Sequence, residues 1–160
     1  MNPARSPCDA VMSTPFGALG VRSAGTAIAE IVFLPPGTPE VAPADALARE
    51  ACQQLARYLD DPDAAFDLPL ASAGTAFQQR VWHAIAAIRR GQTRSYGDMA
   101  RQLKSAPRAV GQACGRNPYP LVVPCHRVVA ADGNLGGFAN ARDGYLLAAK
   151  RWLLRHEGAI

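Results

Sequence analysis

The chain has 160 residues, 49% hydrophobic and 19% charged, with a formal net charge of +4. That length and balance fit one globular domain or two small ones with enough apolar side chains to build a core. No apolar run approaches the roughly 18–20 residues that cross a bilayer, and no basic stretch leads into an apolar segment at the start. A membrane or secreted protein is therefore not expected, and a cytoplasmic one is.

Residues 9–34 have the pattern of a short β-meander. Val11-Met12-Ser13 runs into the turn Thr14-Pro15-Phe16-Gly17, residues 19–22 follow, and after Gly25 comes the apolar run 28–34. Pro35-Pro36-Gly37 ends that run. Ala48, Ala51, Cys52, Leu55 and Leu59 recur at helical spacing, so residues 44–59 form an amphipathic helix that Asp60-Asp61-Pro62-Asp63 stops. Residues 66–70 are a short strand or an extended linker, and a domain boundary falls near 70–74.

The second half is mostly helical. Thr75 is placed to cap a helix whose buried stripe is Phe77, Val81, Ile85 and Ile88, with Gly91 as its stop. Ser95 caps a short helix over 96–103. Lys104-Ser105-Ala106 is a tight connection, and Pro107 opens a second helix running to about Gly115. Two short helices so joined make a helix-turn-helix. The turn Asn117-Pro118-Tyr119-Pro120 leads into 121–129, and a last amphipathic helix runs over about 144–156.

Charge is divided unevenly. Residues 1–70 hold four Lys/Arg against nine Asp/Glu, a net of −5, and residues 71–160 hold thirteen against four, a net of +9. The basic half is the one suited to a polyanion, although a solvated basic face gives the same count. Of four cysteines, Cys8 lies in a Pro-rich start, and Cys52 and Cys114 fit helix patterns as small core residues. A reducing compartment keeps all four as thiols.

Cys125 differs. It stands in Pro124-Cys125-His126-Arg127-Val128, after the apolar run Leu121-Val122-Val123. Positive charge beside a thiol favours the nucleophilic thiolate, whereas a free cysteine is otherwise usually a buried structural one. Glu157 could orient His126, giving a Cys-His-Glu relay. Adjacent residues of a regular strand face opposite sides, so the relay needs a bent backbone or a bridging water. Arg108, at the start of the second helix of the motif, is suited to a phosphate or a base stack, and equally to solvent. Tyr96 is similarly placed on the first. Asn117 before Pro118 is a turn residue. No Cys/His spacing suggests a zinc site.

Taken together, Arg108-Ala109-Val110-Gly111, Asn117-Pro118, Val123-Pro124-Cys125-His126-Arg127-Val128 and Trp152-Leu153-Leu154 with Glu157-Gly158 resemble the O6-alkylguanine-DNA alkyltransferases. The likeness is strong over 75–158 and weaker over 9–70. It implies an α/β N-terminal domain over 1–72, ribonuclease-H-like, with a small antiparallel sheet plus a helix. A mainly helical C-terminal domain over 73–160 would follow, carrying a winged helix-turn-helix. It implies a monomer that binds double-stranded DNA through the minor groove and flips the alkylated base out of the stack, since the reacting atom is inaccessible inside a pair.

By the same resemblance, Cys125 attacks the alkyl carbon of O6-alkylguanine, or of O4-alkylthymine, and keeps the alkyl group, so each molecule acts once. His126 is the base through a water and Glu157 orients it. Tyr96 donates a proton to the leaving guanine and crowds the adjacent phosphate, while Asn117 holds the turn behind the site. Arg108 fills the gap in the stack, with Ala109, Gly111 and Arg127 completing the DNA contacts. Val128 and the backbone of Cys125 read the guanine edge, and Cys114, Pro120, Phe138 and Ala139 complete the base pocket. Phe138-Ala139 stands where family members often carry a Tyr-Ser pair, which keeps an aromatic wall and loses a hydroxyl. Residues 140–147 make a longer segment than usual before the last helix. Some relatives bind zinc in the N-terminal domain; Cys8 alone cannot supply such a site, so no metal and no organic cofactor are expected.

Two other readings fit parts of the sequence. A non-catalytic lesion sensor or helix-turn-helix regulator would explain the basic half, but sensors of that kind replace the reactive cysteine. A cysteine hydrolase using Cys125, His126 and Glu157 would explain neither the helix-turn-helix nor Arg108.

Overall fold

A computed structural model describes residues 8–131, 135 and 144–160. The chain's contacts separate into two compact units, with the division between Ala71 and Ser72.

The first unit is an antiparallel meander of β1 (Ala10–Thr14), β2 (Gly17–Ala24) and β3 (Ala27–Leu34), in that order, followed by helix α1 (Ala46–Asp60). Gly17 makes the first turn possible. Its φ is +138°, and a Cβ there would lie 2.7 Å from the Leu34 carbonyl oxygen, closer than any side chain tolerates. Leu19, Val21, Ile28 and Ile31 are fully or almost fully buried between the sheet and α1. Asp45 caps α1 by accepting from the Ala48 N–H at 2.7 Å.

The stripe of α1 is turned slightly from the predicted one. Ala48, Ala51 and Leu55 are buried, but Cys52 and Leu59 are only half-buried, and Gln54 and Tyr58 are buried instead. The cause is Gln54, whose amide donates to the Asp67 carbonyl (3.0 Å) and accepts from the Asp67 N–H (2.8 Å). That double bond makes a buried polar group tolerable and draws its face of the helix inward. The segment after α1 runs back beside β3, with a parallel bridge between Ile28 and Leu70.

The second unit contains α2 (Ala76–Ala86), β4 (Arg94–Ser95), α3 (Tyr96–Leu103), α4 (Pro107–Gly115), β5 (Val128–Val129) and α5 (Gly144–His156). Thr75 and Gln78 form a capping box at the start of α2, each side chain bonded to the other's backbone N–H. Gly74, at φ +83°, lets the chain pass the Trp82 ring, which a Cβ would meet at 2.5 Å. Phe77 is half-buried, whereas Val81 and Ile85 are fully buried. The helix ends well before Gly91. Ala87 and Ile88 make tight bonds to Ala84 and Ile85, and Gly91 serves a later turn, where its Cα faces the Glu157 carbonyl.

α3 and α4 form the predicted helix-turn-helix. Ser95 caps α3 through the Asp98 N–H (3.0 Å). The left-handed Lys104 (φ 54°) ends it, and Pro107 occupies the first turn of α4. α4 has no side-chain cap, so its N-terminal N–H groups stay open beside exposed Arg108. Met99, Val110, Leu153 and Leu154 are fully buried. Strands β4 and β5, which the periodicity did not reveal, pair in parallel, Arg94 with Val128 and Ser95 with Val129. Among the described residues no helix is long and apolar enough to cross a membrane.

Candidate active site

The segment from Asn117 to Val129 is not a regular strand. Asn117 accepts from the Tyr119 N–H (2.9 Å) through its side-chain oxygen and donates to the Val123 carbonyl (2.8 Å) through its amide, closing the Asn-Pro turn. Leu121 is held at φ 73°, a left-handed conformation unusual for a side chain with a Cβ. Cys125–Arg127 then form one turn of 3-10 helix, in which successive side chains are turned by about 120° rather than opposed. The backbone bend that a Cys-His pair requires is therefore present.

Cys125 is 4% exposed and His126 1%. The Asn117 amide donates to the Cys125 sulfur at 3.2 Å, so one side chain fixes both the turn and the thiol. On the other side, His126 Nε2 lies 2.8 Å from Glu157 Oε2, and Glu157 is fully buried directly after α5. Arg127 grips the same carboxylate with two bonds, Nε to Oε1 and Nη2 to Oε2, both 2.9 Å. Its Nη1 donates to the Ile88 carbonyl at 2.6 Å.

This geometry fixes the protonation of His126. A carboxylate held by a guanidinium only accepts, so the imidazole N–H is assigned to Nε2 and Nδ1 keeps its lone pair. Nδ1 is buried and has no hydrogen-bond partner among the described residues. Desolvation pulls the His126 pKa below its ordinary 6.5, outweighing the hydrogen bond and charge of Glu157, so the ring is a neutral base.

The thiol differs from the electropositive one expected. Arg127 turns its charge to Glu157 with a side chain only 12% exposed, and it is not among the groups that shift the Cys125 thiol. Adjacency along the chain did not become adjacency in space. The Cys125 pKa is raised well above the ordinary thiol value, first by a hydrogen bond with Cys114 and then by burial. Cys114, expected in the core, is half-buried at the end of α4. Asn117 and the charge of Lys150 act in the opposite, lowering direction.

Lys150 is the residue sequence reasoning missed. It is fully buried on α5, donating to the Val128 carbonyl (2.8 Å) and to the Leu135 carbonyl, with Nζ 5.8 Å from the centre of the Tyr96 ring. Burial lowers its pKa to about 8. Its signal was a lysine on the apolar stripe shared with Leu153 and Leu154, where a solvated charge does not belong.

The remaining predicted residues are distributed as follows. Tyr96 is half-buried at the start of α3, its ring edge facing Gly111 of α4, where a Cβ would lie 4.0 Å away. Arg108 is exposed and Ala109 half-buried on α4. Pro120 and Val128 are buried. The Cys125 carbonyl accepts from the Val128 N–H, and the Val128 carbonyl accepts from Lys150. Phe138, Ala139 and residues 140–143 lie outside the described residues, and Gly144 to Leu147 begin α5. Among the described residues no three His, Cys, Asp or Glu side chains gather as a metal site.

A helix-turn-helix unit with a buried cysteine, a neutral histidine and a paired glutamate defines a DNA-binding protein with a nucleophilic thiol as a class. Residues 76–159 match the family described as 6-O-methylguanine DNA methyltransferase, DNA binding domain. The methylated-DNA–protein-cysteine methyltransferase of Methanosarcina acetivorans is 44% identical over 113 residues, 69% of this chain and 69% of that one. The Salmonella typhimurium protein of the same name is 47% identical over 110 residues, 67% of this chain and 61% of its own length. The crystal structure of Mycobacterium tuberculosis O6-methylguanine methyltransferase superposes with a TM-score of 0.77 at 36% identity, covering 93% of this chain and 91% of that one. A complex of the M. tuberculosis protein with DNA gives 0.76 at 35% identity, with the same coverage. The chain belongs to the O6-methylguanine-DNA methyltransferase family.

Proposed function

We propose that this chain repairs DNA by direct reversal, as a methylated-DNA–protein-cysteine methyltransferase that moves the alkyl group of O6-alkylguanine, and of O4-alkylthymine, irreversibly to Cys125. The observation that carries the reading is the buried Cys125 thiol, held by Asn117 next in sequence to a neutral His126 whose Nδ1 has no partner among the described residues.

The resting thiol is protonated, so attack begins with loss of its proton. His126 Nδ1 is the acceptor, with a water between the two side chains. Glu157 and Arg127 hold the ring and support the imidazolium that forms. Asn117 and Lys150 favour the thiolate as it develops. Sulfur then attacks the alkyl carbon opposite the guanine oxygen; the S–C bond forms as the C–O bond breaks. Tyr96 supplies the proton that the leaving base requires. The resulting thioether is not hydrolysed, so the protein is consumed. Cys114, Pro120, Val128, Phe138 and Ala139 surround the flipped base, and the backbone of Cys125 and Val128 reads its edge.

The protein acts as a cytoplasmic monomer on double-stranded DNA from the minor groove. Arg108 fills the vacated stack, Ala109 and Gly111 let α4 approach the backbone, and Arg127 is left out of the contact set. The open N-terminus of α4 and the +9 charge of residues 71–160 support this docking. The β4–β5 pair leading directly into α3 supports a winged form of the motif. The meander, α1 and the parallel bridge at Leu70 support a ribonuclease-H-like first domain over 1–72, with the second over 73–160. The test is Cys125→Ser: labelled methyl transfer from duplex DNA is lost while duplex affinity stays. A variant that still takes up label at another residue would refute the assignment.

A further inference from the structure

We propose that Arg90 is a positioning residue for the His126–Glu157 pair, holding the main chain of Glu157 while Arg127 holds its carboxylate. Glu157 closes α5. The N–H groups of Gly158 and Ala159 turn back to the Arg155 and Leu154 carbonyls, and Gly158 is left-handed at φ 77°. Such an ending leaves the last carbonyls without a donor from the helix itself. Arg90 supplies one: its Nη1 donates to the Glu157 carbonyl at 3.0 Å. Next to it, Gly91 at φ 84° packs on the same oxygen, which a Cβ would meet at 3.3 Å. The Arg90 cation thereby also lies at the negative end of the α5 dipole.

Two arginines thus cross between the connector after α2 and the site. Arg127 reaches out from the 3-10 turn to the Ile88 carbonyl (2.6 Å), and Arg90 reaches back from the connector to Glu157. With the two bonds from Arg127 to the carboxylate, Glu157 is held at its main chain and at its side chain. Its Oε2 is thereby kept 2.8 Å from His126 Nε2. The groups that shift the ring are Glu157 after α5, Arg127 from the turn and Lys150 from α5; α2, which also packs against the turn, supplies none. The hydrogen bond and charge of Glu157 raise the His126 pKa, whereas the charges of Arg127 and Lys150 lower it. Letting Glu157 retreat therefore makes the ring a weaker base for the Cys125 proton. Misplacing a group by about 1 Å can cost about a hundredfold in rate; a carboxylate still tied to Arg127 moves less, and about tenfold is expected. Arg90 is exposed, so its replacement leaves the core intact. The effect on methyl transfer rests on the proposed function; the placement of Glu157 does not.

The test compares Arg90→Met and Arg90→Lys with the unsubstituted full-length protein. One readout is the proton resonance of the His126 Nε2–H, assigned by its absence in His126→Gln. A buried imidazole N–H bonded to a carboxylate resonates far downfield and exchanges slowly with water. The other is the single-turnover rate of methyl transfer from saturating duplex DNA carrying O6-methylguanine, followed against pH. In Arg90→Met the resonance should move upfield and exchange faster, transfer at neutral pH should slow about tenfold, and the acid limb of the rate should shift to lower pH. Arg90→Lys, whose ammonium still donates to a carbonyl, should bring all three back towards the unsubstituted protein. An unchanged resonance in Arg90→Met would overturn the proposal. So would an acid limb moved to higher pH, because that is the direction in which loss of a cation alone shifts a histidine. If Arg90→Met shifts the resonance but the unsubstituted protein takes no methyl group from the duplex, the proposed function fails and the placement of Glu157 by Arg90 stands.

Discussion

Replacing Glu157 by glutamine tests the buried cluster behind the thiol. Glu157 is fully buried and Arg127 is 12% exposed, and two parallel bonds of 2.9 Å join them. Removing one partner of such a pair leaves an uncompensated charge, and costs about 3–5 kcal/mol. The lower end applies here. Arg127 keeps its bond to the Ile88 carbonyl, and the glutamine oxygen still accepts one hydrogen bond. A loss of about 3 kcal/mol is therefore expected, read as a lower urea midpoint at unchanged slope. The double variant Arg127→Met/Glu157→Gln removes both charges and should recover about 2 kcal/mol of that loss. The variant also strips His126 of the two influences that raise its pKa, so the pKa of the ring falls further. A double variant no more stable than Glu157→Gln alone, or a single-variant loss below about 1 kcal/mol, would refute the pairing argument.

Other outcomes follow from the same geometry. His126 titrates below its ordinary 6.5, so between that value and its lower folded pKa the unfolded chain takes a proton that the native ring refuses. Stability from this site is full above pH 6.5 and declines as pH falls below it, which urea midpoints against pH will show; methyl transfer should hold through that window and fall only below the lowered folded pKa, where the native ring takes a proton at Nδ1. Arg108→Ala should slow transfer from duplex DNA more than from the free base, because only the duplex requires flipping; equal slowing with both substrates would remove Arg108 from that role. Thr75→Ala should cost about 1 kcal/mol through loss of the capping box of α2, measured by urea denaturation. Duplex affinity should fall steeply with salt, and a salt-independent affinity would contradict phosphate contact by the basic unit.

What was legible in the sequence was what local chemistry decides. Thr75 and Gln78, Ser95 with Asp98, and Pro107 announce helix starts because their side chains or rings act on their own backbone. The turn at Gly17 and the meander follow from alternation and a residue that only glycine can replace. Contacts across the fold were harder. β4 and β5 are two residues each, too short for any period, and exist because the chain before α3 lies beside Val128 and Val129. Arg127 was assigned by its neighbours in sequence, whereas Glu157, thirty residues on, decides where it points. Gln54 is buried because Asp67 offers a backbone to bond. Lys150 and Cys114 matter through the thiol they face, a relation carried by α5 and α4 rather than by any motif.

The central claim, transfer of an alkyl group to Cys125, is tested most directly by intact mass. The protein is incubated with excess duplex DNA carrying O6-methylguanine, and any adduct is located by peptide mapping. The account predicts a gain of one methyl group per molecule, confined to the peptide 117–127 at Cys125, with no further turnover. Protein that binds the lesion and keeps its original mass, or that releases product repeatedly, would contradict it.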